Sequence, residues 1–337
     1  MLKLNFAIIG CGRISKNHID ALVNNSDECN LVALCDIVES KVAERKKQYE
    51  DNIVNADVKV YTDYIQMFEN EKIDVVSICT ESGYHAKHAI DCLKYGKHLL
   101  IEKPMALSLE DADRIIELGK EKNLKVGVCH QNRFNPPIQK LRKAIEEGRF
   151  GKIINVTARI LWTRDQNYYN QAPWRGTKAL DGGTLMNQCI HNIDLLQWMM
   201  GSEVERVTCE RGTFLRDIEM EDFGAMLIRF KNGSIGIVEG NACVYPKNLE
   251  ETLSIFGEKG TAVIGGLAVN KIQTWQFDDE KYYDKDDRST EIDNVYGTGH
   301  TPLYKDFIDS ISYDREPYIS GTEGKKALEI IIKAYGW

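Results

Sequence analysis

Two residues carry the clearest chemical capacity: Lys103, which follows an apolar run and precedes Pro104, and His191, six residues beyond Gly182-Gly183-Thr184-Leu185. An imidazole changes protonation near neutral pH, so His191 suits a general base, while the Lys103 ammonium can hold a reacting oxygen and lower its pKa. Both suit oxidation of a secondary alcohol, in which a hydroxyl proton goes to a base and hydride leaves the same carbon; either residue can be the proton acceptor. Such a reaction needs a hydride acceptor.

A glycine turn offers a place for one. Residues 6–9 read as a buried strand, Gly10 and Gly12 bring the turn amides close to a pyrophosphate, and the helix opening at Arg13 and Ile14 points its positive end at that charge. Ser15 replaces the usual Gly or Ala but is small enough for close helix-to-strand packing. A second apolar strand, 31–35, ends in Asp36, where a carboxylate meets the adenosine ribose hydroxyls and repels a 2'-phosphate. The expected cofactor is therefore NAD.

The elements that position these groups follow from pattern. Over the first 130 residues strand and helix alternate, predicting a Rossmann doubly wound parallel sheet, with Lys103 after the strand 98–101 at the ligand-binding carboxyl edge. Ser108 is placed to cap a helix over 109–123. Beyond His130 comes one amphipathic helix, 138–147, and then strand-like stretches at 153–164, 206–215, 223–230, 234–244, 252–256 and 272–277. Asn232-Gly233 marks a hairpin between two of them. The fold class is thus α/β plus α+β, the second part a mostly antiparallel open sheet. Expected domains are 1–130 for the dinucleotide, 131–300 for substrate and oligomerisation, and C-terminal helices within 301–337 packing back on the first domain.

Composition narrows the function. The 337 residues are 43% hydrophobic and 28% charged, enough for two cores, and the net charge of -8 argues against a nucleic-acid partner. No apolar run approaches the ~20 residues that span a bilayer, and Met1-Leu2-Lys3 leads straight into the first strand, so neither a membrane partner nor a signal peptide is expected. Nine cysteines with no C-x-x-C pair fit reduced thiols in a cytoplasmic protein. His85 and His88 share a helix face without further ligands nearby, so no metal is expected.

The glycine turn, Asp36, Cys79-Thr80 followed by His85, Glu102-Lys103-Pro104 and Gly182-Gly183-Thr184-Leu185 leading to His191 together resemble the Gfo/Idh/MocA oxidoreductases across the whole chain. The resemblance implies an NAD-dependent dehydrogenase acting on CH–OH groups, with Lys103 and His191 catalytic and Gly10, Gly12, Arg13, Ile14, Asp36, Thr80, His85, Glu102 and Lys103 on the cofactor side. Gln131-Asn132-Arg133-Phe134-Asn135-Pro136, Trp174-Arg175-Gly176-Thr177 and residues 186–194 look like the bacterial branch that oxidises the 3-hydroxyl of UDP-N-acetylglucosaminuronic acid for surface polysaccharide sugars. A substrate with two phosphates and a carboxylate calls for cations. Arg164, Arg175 and Lys178, with Tyr168, Tyr169 and Trp174, suit that task. Asn187 stands where many relatives carry Asp, four residues before His191 and so on the same helix face, and implies substrate contact without a charge. Asp194, a turn later, is placed to orient the His191 ring. Other readings are a dehydrogenase of UDP-N-acetylglucosamine or of another sugar or polyol, and a non-catalytic NAD(H)-binding sensor or scaffold. A homodimer or homotetramer through one sheet face is expected, as is common in relatives.

Overall fold

The computed structural model describes residues 3–291 and 297–337. Two compact units divide the chain, the first made of Met1–His130 and His300–Lys325, the second of Gln131–Gly299 and Lys326–Trp337.

In the first unit β1 (Leu4–Ile9), α1 (Ser15–Asn24), β2 (Cys29–Cys35), α2 (Glu39–Glu50), β3 (Lys59–Tyr61), α3 (Tyr64–Asn70), β4 (Val75–Ile78), α4 (His85–Lys94), β5 (His98–Ile101), α5 (Leu109–Glu121) and β6 (Val126–Val128) follow one another. The strands form a parallel sheet in the order β3-β2-β1-β4-β5-β6, the doubly wound arrangement expected. Phe6 to Ile9 and every residue of β4 are buried, which is why these strands read as continuous apolar runs and not as alternation. Ser108 caps α5 by accepting the Asp111 amide at 3.1 Å.

The second unit contains α6 (Pro136–Glu146), β7 (Ile153–Leu161), α7 (Gln166–Asn170), α8 (Thr184–Asn187), α9 (Ile190–Met200) and β8 (Val204–Gly212), β9 (Phe223–Phe230), β10 (Ile235–Asn241), β11 (Glu250–Gly257), β12 (Gly260–Gly265) and β13 (Lys271–Phe277). Seven strands lie in the order β13-β12-β11-β7-β10-β9-β8, antiparallel throughout except for the β7–β10 pair. β9 and β10 form the expected hairpin, closed by Gly233 N–H to Phe230 O at 2.9 Å. On the sheet face that α9 does not cover, Leu227, Ile237 and Phe256 are exposed beside the Arg159–Glu239 and Arg159–Glu250 ion pairs. In the charged segment 278–288, Arg149 bonds both Asp279 and Asp284.

The last two helices are divided between the units. α10 (His300–Ser312) belongs to the first unit, whereas most of α11 (Gly321–Tyr335) belongs to the second. Its end is anchored there by the Tyr335 hydroxyl, 2.6 Å from Glu221 Oε1 and 2.9 Å from Gly182 O.

Helix α9 is buried at every position but one. Its ten other residues lie inside and His191 alone is half-open. Asp194 was placed by its spacing to orient that imidazole, but its two carboxylate oxygens instead accept Arg133 Nε and Nη2, each at 2.7 Å, with both side chains buried. A buried guanidinium demands two oriented acceptors, and the fork outcompetes a neighbouring ring. Trp198 covers the guanidinium at 4.9 Å. Asp194→Asn should cost about 3–5 kcal/mol, because Arg133 keeps its charge without compensation, while Asp194→Leu with Arg133→Met should cost much less. Urea unfolding of both variants checks this.

Candidate active site

At the dinucleotide end of the first unit, Gly10 has φ +93°, and a Cβ there would lie 2.6 Å from the Cys79 carbonyl carbon, so only glycine lets this turn pack on the end of β4. A Cβ at Gly12 would meet nothing within 4 Å, leaving that backbone open to a ligand. Ser15 is buried and donates to Gly12 O at 2.6 Å, confirming that a small side chain fits there. Arg13 is exposed and Ile14 precedes the first turn of α1. Asp36 binds the turn itself: its Oδ2 accepts the Cys11 amide at 2.7 Å and its Oδ1 the Val38 amide at 2.8 Å, which holds a negative charge at the end of β2. Open backbone at Gly12, a helix start and a strand-end carboxylate fit a dinucleotide carrying an unphosphorylated ribose.

Lys103 is half-buried after β5. Glu102 beside it is buried, and His18 lies 2.9 Å from its Oε1. His85 is turned inward. Its Nδ1 is 2.7 Å from Pro104 O and its Nε2 3.0 Å from Thr80 O, so the ring placed by sequence at the cofactor is engaged in joining the Thr80 strand end to the segment after Lys103. Burial lowers the His85 pKa. Thr80 also meets His88 Nδ1 at 3.1 Å, and burial brings that imidazole down to about 4.

In the second unit the expected cations are gathered. Arg164 Nε donates to Gln188 Oε1 at 3.0 Å, Gln188 Nε2 donates to the Tyr168 hydroxyl at 3.0 Å, and Arg175 Nη1 donates to the same hydroxyl at 2.5 Å. The Arg175 guanidinium lies between the Tyr168 and Trp174 rings, at 4.3 and 4.6 Å. Lys178 stands apart, its ammonium over Trp337. Tyr169 is buried.

α8 ends at Asn187 and α9 begins at Ile190, with Gln188 and Cys189 between them in right-handed helical backbone. The Asn187 amide donates to Asp181 and its oxygen accepts Gln188 Nε2 at 3.0 Å. α8 starts directly after Gly183, at φ +96°, where a Cβ would fall 2.5 Å from Glu221 Oε2. Glu221 Oε1 accepts the Leu185 amide at 2.9 Å, and burial raises its pKa. Gln188, Asp181 and Glu221 were not singled out from sequence. Gln188 lies inside the 186–194 motif, which is the signal that pointed nearest to it.

A glycine turn shaped for a dinucleotide after β1, with a carboxylate at the end of β2, marks the first unit as the NAD-binding part of an oxidoreductase. Residues 4–130 match the oxidoreductase family with an NAD-binding Rossmann fold, and residues 138–263 match the GFO/IDH/MocA C-terminal domain. The chain belongs to the GFO/IDH/MocA oxidoreductase family. It is 36% identical to the WlbA dehydrogenase from Bordetella pertussis, solved in complex with NADH and UDP-GlcNAcA, over 100% of this chain and 95% of that one, with a TM-score of 0.90. The WlbA dehydrogenase from Chromobacterium violaceum, with the same two ligands, is also 36% identical over 99% and 93%, TM-score 0.90. Myo-inositol 2-dehydrogenase from Thermotoga maritima is 28% identical over 96% of this chain and 93% of its own. Among the described residues no helix is long and apolar enough to cross a membrane.

Sequence reasoning also missed Glu251 on β11. It is buried, with Asn132 Nδ2 3.4 Å from its Oε1, and burial pushes its carboxyl up to about 8, opposed by Asn192 and Arg164. Between the usual carboxylate value and about pH 8 the folded chain keeps a proton that the unfolded chain has released, so stability falls as pH rises through that window. Glu251→Gln removes the penalty. It should match the parent near pH 4.5 and become more stable toward pH 8, by on the order of 1 kcal/mol per pH unit, as read from urea unfolding at both pH values.

Proposed function

We propose that the protein oxidises the 3-hydroxyl of UDP-N-acetylglucosaminuronic acid to the 3-keto sugar with NAD, a step toward surface polysaccharide sugars. The observation that carries this reading is the Arg164–Gln188–Tyr168–Arg175 chain, two guanidiniums held in place by neutral partners. A neutral polyol gives no use for two such charges; a diphosphate and a uronate carboxylate do. The likeness to the two WlbA dehydrogenases supports the same substrate. Bound NAD supplies the hydride acceptor, carbon 4 of its nicotinamide ring. His191, the open position of a buried helix, accepts the hydroxyl proton, and the Lys103 ammonium holds the hydroxyl oxygen as it becomes a carbonyl. The uncharged UDP-N-acetylglucosamine, or an inositol as in the Thermotoga relative, is the competing substrate. The half-open sheet face with Leu227, Ile237 and Phe256 is assigned to self-association as a dimer or tetramer.

Reduction of the nicotinamide, followed in a single turnover with and without an added keto acid to regenerate NAD, tests the proposal. Lys103→Met and His191→Asn should each slow it by about 10²- to 10⁴-fold while NAD affinity stays within a few-fold. Arg175→Ala should raise KM for the uronate sugar by about 10- to 100-fold, the loss of one charged hydrogen bond. A 3-keto product from another sugar and none from the uronate overturns the substrate assignment. Sedimentation of a monomer at micromolar concentration overturns the association.

A further inference from the structure

Glu102 is a carboxylate taken out of water at the end of β5, and such a group persists only where hydrogen bonds replace its hydration. Those bonds form a line. Ser77 Oγ on β4 lies 2.6 Å from the Tyr304 hydroxyl on α10, that hydroxyl lies 2.7 Å from His18 Nδ1 on α1, and His18 Nε2 lies 2.9 Å from Glu102 Oε1. The other carboxylate oxygen, Oε2, accepts the backbone amide of Lys103 at 3.2 Å. All four side chains are buried.

The donors in this line have one consistent direction. An ionised carboxylate only accepts, so the proton between His18 and Glu102 sits on Nε2. In the His18 tautomer that carries its one proton on Nε2, Nδ1 accepts from Tyr304, whose oxygen accepts from Ser77. Every donor points toward Glu102, and Glu102 in turn receives the Lys103 amide. His18, Glu102 and Cys129 also bring ligand-capable atoms within 4.8 Å of one another, but both His18 nitrogens are committed, and burial with the nearby Glu102 charge raises the Cys129 thiol well above its usual range, so the cluster serves hydrogen bonding.

We propose that His18 is a positioning residue for the oxidation: it orients Glu102, which fixes the main chain of Lys103, while Tyr304 and Ser77 fix the His18 tautomer. The proposal rests on Lys103 acting at the reacting oxygen, as argued above. Burial favours a protonated Glu102, yet His18 and His300 hold it well below the usual carboxylate range. The titratable groups facing it are His18 from α1, His300 and Tyr304 from α10, Cys79 beyond β4, Cys129 beyond β6, and His85 and Lys103 beside it. His300 Nε2, at 3.7 Å, is too far to replace the His18 bond.

The test uses the full chain with NAD. His18→Leu should slow single-turnover hydride transfer at least tenfold, with NAD affinity within threefold, and add an acidic limb to the pH–rate profile as burial raises the unsupported Glu102 carboxyl. His18→Gln, whose amide nitrogen can take the place of Nε2, should restore most of the rate and remove the limb. Nitrogen-15 NMR of the His18 ring in the unaltered protein should show Nε2 protonated and Nδ1 as acceptor, with Tyr304→Phe disturbing Nδ1 alone. A parental rate and profile for His18→Leu, no rescue by Gln, or a proton on Nδ1 would overturn the proposal. Lys103→Met assayed in parallel separates the cases: a parental rate there removes the role of Lys103, while the NMR result still judges the tautomer.

Discussion

An arginine taken out of water has to be paired, and in this protein the pairing of Arg133 with Asp194 decides where His191 stands. The fork of the guanidinium takes both carboxylate oxygens at 2.7 Å, which leaves α9 little freedom to rotate about its axis. With ten of its eleven residues inside the second unit, the helix presents one half-open side chain, and that side chain is the imidazole. Gln188, between α8 and α9, links the Arg164 and Tyr168 side chains.

The first unit follows the same logic with different parts. Lys103 leaves β5 between two buried polar groups, Glu102 held by His18 and Pro104 O facing His85. Each side chain there answers a backbone or carboxylate group that burial would otherwise leave unpaired. The glycine turn is fixed by contact on one side, Gly10 against Cys79 and Thr80, and open on the other at Gly12. A ligand that approaches the backbone needs that asymmetry.

Much of this was legible beforehand. The parallel strands stand out because burial on both faces makes them apolar without interruption, and Gly10, Gly12 and Asp36 stand out because few other residues meet their backbone and charge requirements. α9 gave no amphipathic signal, since a segment buried all round has no 3.6-residue alternation to detect, and its helical spacing came only with the family resemblance. β12 escaped notice because glycines bound its short run at both ends. Asp194 was misjudged because spacing along α9 carries no sign of Arg133, which takes both of its carboxylate oxygens. The pairing of the His85 ring with two carbonyl oxygens had no signal in the sequence.

The amino-acid order alone determined the sheet of the first unit, the strand-rich character of the second and the glycine turn, because these depend on local periodicity and on residue type. Only tertiary structure decided which charges meet. Arg133 finding Asp194, Tyr304 finding His18 and Arg164 finding Gln188 join residues far apart along the chain, and burial, which sets the strength of each contact, exists only once the chain has folded.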